Sequence, residues 1–129
     1  MSMQISFPGG VAVCAQIGSF NILSDQPVAA GGQGSAPSPY ELFLASIGTC
    51  AGFFALRFCQ QRQLSTEGLS LSLDWQREPD TKRLEKITIQ ITLPDGFPEK
   101  YRAAIIKATD QCAVKKALLD PPEFAVIAL

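Results

Sequence analysis

The chain has 129 residues, enough to bury one good core and too few for two, so a single domain over 1–129 is the expectation. Apolar residues make up 47% and charged residues 18%, which excludes a disordered chain and leaves apolar surface to bury against a second copy. Eleven basic and twelve acidic residues are scattered without a basic stripe, which argues against nucleic acid as a partner, and the absence of histidine excludes Ser-His-Asp and Cys-His catalysis.

Residues 3–24 alternate loosely, with Val11, Val13, Ala15 and Ile17 on one face and Phe20, Ile22 and Leu23 following Gly18. They predict short strands joined through Pro8-Gly9-Gly10. The segment PVAAGGQGSAPSP, 27–39, is a loop by composition. A helix is then predicted from 39 to about 63: Ser38-x-x-Glu41 is a capping box, and Pro39 stands at the first helical position, where a missing N–H costs nothing. Its body, LFLASIGTCAGFFALRFC, is apolar almost all round, as in a central buried helix. Gly48 and Gly52 on one face suggest a close backbone neighbour, since each costs about 1 kcal/mol relative to alanine in a helix.

Leu69, Leu71, Leu73 and Trp75 alternate with polar residues, as do Ile87, Ile89, Ile91 and Leu93 beyond EPDTKR. The pattern predicts an antiparallel hairpin with one solvated face. Pro98 and Glu99 open a helix that turns Tyr101, Ile105 and Ala108 inward, and a second helical segment begins around Gln111-Cys112-Ala113 and stops at Pro121-Pro122. The apolar, β-prone FAVIAL at 124–129 predicts a last strand. Segregated strands and helices without βα alternation make an α+β domain.

No apolar run approaches the roughly 20 residues of a membrane span, and MSMQISFPGG has no leader pattern, so the expectation is no membrane partner and a cytoplasmic address. Cysteines are kept reduced there, which leaves Cys14, Cys50, Cys59 and Cys112 as inert thiols or a catalytic pair. Their spacing holds no C-x-x-C knuckle, so no metal site is expected. Cys14 and Cys59 read as small hydrophobes; Cys59, nine residues beyond Cys50, projects from the opposite face of the same helix. Cys112 lies near a helix start with Lys115 and Lys116 one turn on, a setting that would lower its pKa. Cys50 is mid-helix in apolar company, which alone would raise its pKa; Arg57, two turns on and on about the same face, is the nearest cation.

The combination of SPYELFLASIGTC, FFALRF, the hairpin and DQCAVKKALLDPPEF resembles the OsmC/Ohr family of thiol-dependent peroxidases, in particular its OsmC-like branch. The resemblance implies an OsmC-like fold in an intertwined homodimer, with the long helix central and no metal or organic cofactor. It implies catalysis by Cys50, which attacks an organic hydroperoxide and becomes a sulfenic acid, and by Cys112, which closes a disulfide that a dithiol reductant reopens. Two features depart from the family pattern. No arginine or lysine precedes Arg57, and Pro39 is followed by Tyr40 where the family has a glutamate. Glu41 is one position late, turned by about 100°, and already explained as a capping residue. The activating arginine and acid are thus missing, which implies that Arg57 or a residue of the second subunit substitutes, or that the peroxidase activity is weak or absent. The alternative is a protein of the same fold that binds an apolar small molecule near Phe43, Phe53 and Phe54, or senses redox state, without turnover.

Overall fold

The computed structural model describes all of residues 1–129. Its contacts gather the chain into two compact units, Met1–Ala45 and Ser46–Leu129, and the long helix runs from the first into the second.

In the first unit, β1 (Gln4–Gly9), β2 (Ala12–Ile17) and β3 (Phe20–Ser24) form an antiparallel sheet in chain order. Gly18, at φ +57°, makes the tight turn between β2 and β3. The register sets Ile5 opposite Ala15 and Ala15 opposite Ile22, with Ile17 opposite Phe20 on the same face. One face of the sheet is therefore apolar, and Ile5, Ile22 and Phe20 on it are exposed. The glycine-rich loop holds one short 3-10 turn, Val28–Ala30. Asp25 at its root is buried and accepts hydrogen bonds from the N–H groups of Gln26 (2.8 Å), Gln33 (3.2 Å) and Ser35 (3.1 Å) and from the Ser35 hydroxyl (2.6 Å). Gly32 passes so close to the Gln26 backbone that a Cβ would lie 1.9 Å from its carbonyl oxygen. The loop is thus a folded structure organised on one carboxylate.

The helix α1 spans Pro39–Gln61. Its start is the predicted capping box: the Ser38 N–H donates to Glu41 Oε2 (2.8 Å) and the Glu41 N–H to Ser38 Oγ (3.2 Å). It ends two residues before the expected 63, because Gln63 adopts φ +55° and the Leu64 N–H returns to the Cys59 carbonyl (2.9 Å), a left-handed cap. By length and composition α1 could cross a membrane, a test that the core helix of a soluble protein also passes, so the expectation that no segment is long enough does not hold for this helix. Its burial is also narrower than the sequence suggests. Leu44, Ile47, Ala51, Ala55 and Phe58 form one buried stripe at spacings of three and four, whereas Phe53 is 55% exposed and Leu56 is exposed beside it.

The second unit carries the hairpin of β4 (Ser70–Arg77) and β5 (Leu84–Thr92). Leu71 faces Ile91, Leu73 faces Ile89 and Trp75 faces Ile87 on one side, with Ser72–Gln90 and Asp74–Thr88 pairs on the other. A Cβ at Gly48 would meet a Leu73 methyl at 3.7 Å, an ordinary contact, and one at Gly52 would meet nothing within 4 Å. Neither glycine is needed for a close backbone approach. A short 3-10 turn, Glu99–Tyr101, leads into α2 (Arg102–Thr109), and α3 (Ala113–Leu119) follows. Ala55, Phe58, Cys59 and fully buried Ile105 form the core, with Leu64, Leu69, Leu71, Tyr101 and Ala108 against it. The predicted final strand is absent: residues 121–129 have no regular structure, join neither sheet, and leave Phe124, Val126 and Ile127 exposed. A β-prone run becomes a strand only by pairing with another, and this one pairs with none.

Candidate functional site

Within the second unit the structure brings Cys50 and Cys112 together and leaves Cys59 apart, and all four cysteines of the chain are free thiols. Cys50 comes from the middle of α1. Cys112 is the N-cap of α3, its sulfur accepting the Lys115 N–H at 3.4 Å. The chain reaches this cap through a tight end to α2, where the Asp110 N–H returns to Ile106 and the Gln111 N–H to Ala108. Cys112 is 2% exposed, with its sulfur 4.0 Å from the Ile47 carbonyl oxygen on α1, one turn before Cys50.

The two thiols have opposite electrostatics. Burial works against ionisation of Cys50, but hydrogen bonds from the Cys112 thiol and from the N–H groups of Val114 and Ala113 outweigh it and hold its pKa below the usual thiol range. Burial pushes Cys112 up, and the Cys50 sulfur adds to this, against the lowering effect of the Lys115 and Val114 N–H groups. The expectation that the helix start and the two lysines would acidify Cys112 is therefore corrected. The first N–H groups of α3 serve Cys50, Lys115 pairs with Asp110, and Lys116 donates to Gln111 Oε1. Arg57 does not act on Cys50 either; its Nη1 donates to Gln60 Oε1 at 3.2 Å. Sequence reasoning missed Ala113 and Val114 because they act through backbone atoms, which carry no residue-type signal. The only hint was the helix start beside Cys112.

Cys59 is fully buried in the core and its thiol is pushed up by burial, with Arg62 partly offsetting. Cys14 pairs in β2 opposite Leu23. No group of histidine, cysteine or acidic side chains has a metal-binding arrangement.

Two concavities border this region. One, of about 500 Å³, is lined by Ile47, Ile87, Ile89, Ile91 and Ile106 and reaches Cys112, with Cys50 outside its lining. The other lies between α1 and α2 and takes in Phe53 and Phe54 with Arg57. Phe43, grouped with these phenylalanines from sequence, lines neither, and its ring sits 5.5 Å from that of Tyr40.

A family model described as OsmC-like protein matches residues 32–126. No curated protein matches the chain. Among solved structures, the chain is similar to a Psychrobacter arcticus protein named for osmotic stress induction and detoxification response, at 20% identity and TM-score 0.76, covering 91% of this chain and 87% of that one. It is similar to an OsmC-like protein of Mycoplasma pneumoniae, at 14% identity and TM-score 0.72, covering 93% and 87%. It is also similar to a Legionella pneumophila protein described as an organic hydroperoxide resistance protein OsmC, at 18% identity and TM-score 0.54, covering 92% and 89%. At these identities the likeness is one of fold, and it agrees with the mixed α+β architecture of antiparallel strands and a long helix.

Proposed function

Because the chain belongs to the OsmC-like family, we propose that it reduces organic hydroperoxides, with Cys50 as the attacking thiol and Cys112 as the resolving thiol. One observation carries the reading: two thiols in hydrogen-bond contact, the first more acidic than usual and the second less. That is the order the chemistry needs, since the first thiol must be a thiolate when peroxide arrives and the second must stay in reserve.

The Cys50 thiolate attacks one peroxide oxygen, the O–O bond breaks, and the alkoxide leaves as an alcohol after taking a proton. Cys50 is oxidised to the sulfenic acid and the hydroperoxide is reduced. The Cys112 sulfur then attacks the Cys50 sulfur, an S–S bond forms, and the hydroxyl departs with the Cys112 proton as water. A dithiol reductant restores both thiols and is itself oxidised to a disulfide. Hydrogen bonds from a thiol and two peptide N–H groups stand here in place of an arginine, so the reading is of a slow peroxidase. We also take the protein to be a homodimer acting in the cytoplasm, where its four thiols would be kept reduced.

The test is oxidation by cumene hydroperoxide followed by peptide mapping. Wild type is expected to convert to a Cys50–Cys112 disulfide, and Cys112→Ser to accumulate a sulfenic acid at Cys50. Unchanged thiols in both proteins under excess oxidant would sink the proposal.

A further inference from the structure

The groove between α1 and α2 has about 530 Å³ of space, within the range of small-molecule sites. Its apolar wall is Phe53, Phe54 and Phe58, with the Phe53 and Phe54 rings edge-on at 5.5 Å and 75°. Three cations line it: Arg57, Arg62 and Lys107. Its other polar side chains are the amides Gln61 and Gln111, so no carboxylate is present.

The charge is uncompensated. The chain carries more acidic than basic residues, yet its ion pairs are Arg102–Glu99 and Lys115–Asp110, and neither involves a groove cation. Arg62 is held in place, its guanidinium 3.7 Å from the Phe58 ring centre and its Nη1 donating to the Phe58 carbonyl oxygen at 3.3 Å. Arg57 is tied only to the neutral Gln60, and Lys107 has no ion pair. Like charges crowded over an apolar floor repel one another until an anion enters, and an exposed phenylalanine asks for an apolar body on that anion.

We propose that the α1–α2 groove binds an aromatic organic carboxylate, its ring against Phe53 and Phe54 and its anionic group between Arg57 and Lys107. A second copy related by a two-fold axis through the groove would set three cations against three, which disfavours that occupant. The site contains neither Cys50 nor Cys112 and does not depend on the peroxidase reading. Lys107 also borders the cavity at Cys112, so occupancy is best read by binding and not by turnover.

The experiment is calorimetric titration of the full chain with 2-naphthoate, and with the neutral 2-naphthalenemethanol, at low and moderate salt. Expected are saturable binding of naphthoate that weakens with salt, at least tenfold weaker binding of the alcohol, and a loss of about tenfold in each of Arg57→Gln and Lys107→Gln. Binding persists in Cys50→Ser, which separates this site from the thiol pair. Both charge variants alter exposed side chains, and an unchanged near-ultraviolet circular dichroism spectrum would show that they fold. Equal affinity for acid and alcohol overturns the proposal, as does equal affinity of wild type and both variants. Absence of saturable binding, including the case in which a second copy fills the groove, overturns it as well.

Discussion

Cys50 and Cys59 are nine residues apart on one helix, and the difference between them comes from what each faces. Cys59 packs with Phe58, Ala55 and Ile105, and burial outweighs the charge of Arg62, so the thiol is less acidic than usual. Cys50 meets the start of α3, and three donors there overcome burial. Each donor stabilises the thiolate, so removing one raises the pKa. Cys112→Ala is therefore expected to move the onset of Cys50 alkylation to higher pH and to slow iodoacetamide modification near neutral pH severalfold. Cys112→Ser, whose hydroxyl can still donate, is expected to keep most of the acidity. A profile unchanged in Cys112→Ala would mean that the peptide N–H groups suffice alone.

At the scale of elements, α1 is the most legible part of the sequence at its start and the least at its sides. The capping box forms between the two residues expected, since its partners are three residues apart and need no tertiary help. Which apolar side chains are buried depends on where the hairpin and α2 lie, and periodicity in a helix apolar all round cannot say. Gly52 shows the consequence. With open space at its missing Cβ, Gly52→Ala is expected to raise stability by about 1 kcal/mol in urea denaturation, because alanine favours the helix. A loss of stability would instead reveal another surface against that face. The loop between β3 and α1 gives a pH prediction. The Ser35 hydroxyl, followed by the N–H groups of Ser35 and Gln26, lowers the Asp25 pKa from its usual 3.8 to about 2. A carboxylate held below its unfolded value contributes stability above that value, and the contribution disappears as pH falls from about 3.8 toward about 2. The urea midpoint of wild type is accordingly expected to fall across this window more steeply than that of Asp25→Asn.

Over the whole molecule, much apolar surface remains uncovered in a single chain. Ile5, Ile22 and Phe20 (72% exposed) occupy one face of the three-stranded sheet, Leu56 lies exposed on α1 outside the groove, and the apolar run beyond Pro122 is exposed. Surface of this kind on a folded chain marks an interaction site, which supports the proposed homodimer. Sedimentation equilibrium is expected to give twice the 13.9 kDa chain mass, and a monomer at micromolar concentration would count against it. The sequence by itself determined what rests on local chemistry: the α+β class, the hairpin with its alternating face and the cap of α1. Tertiary structure alone decided that α1 is buried along one stripe, that 124–129 finds no strand to join, and that burial outweighs the helix start at Cys112 while N–H groups beside it lower Cys50. The reason is physical. Caps and alternation act between residues a few positions apart, whereas burial, edge pairing and the pKa of a thiol depend on groups that only folding brings near, here across sixty-two residues of chain from Cys50 to Cys112.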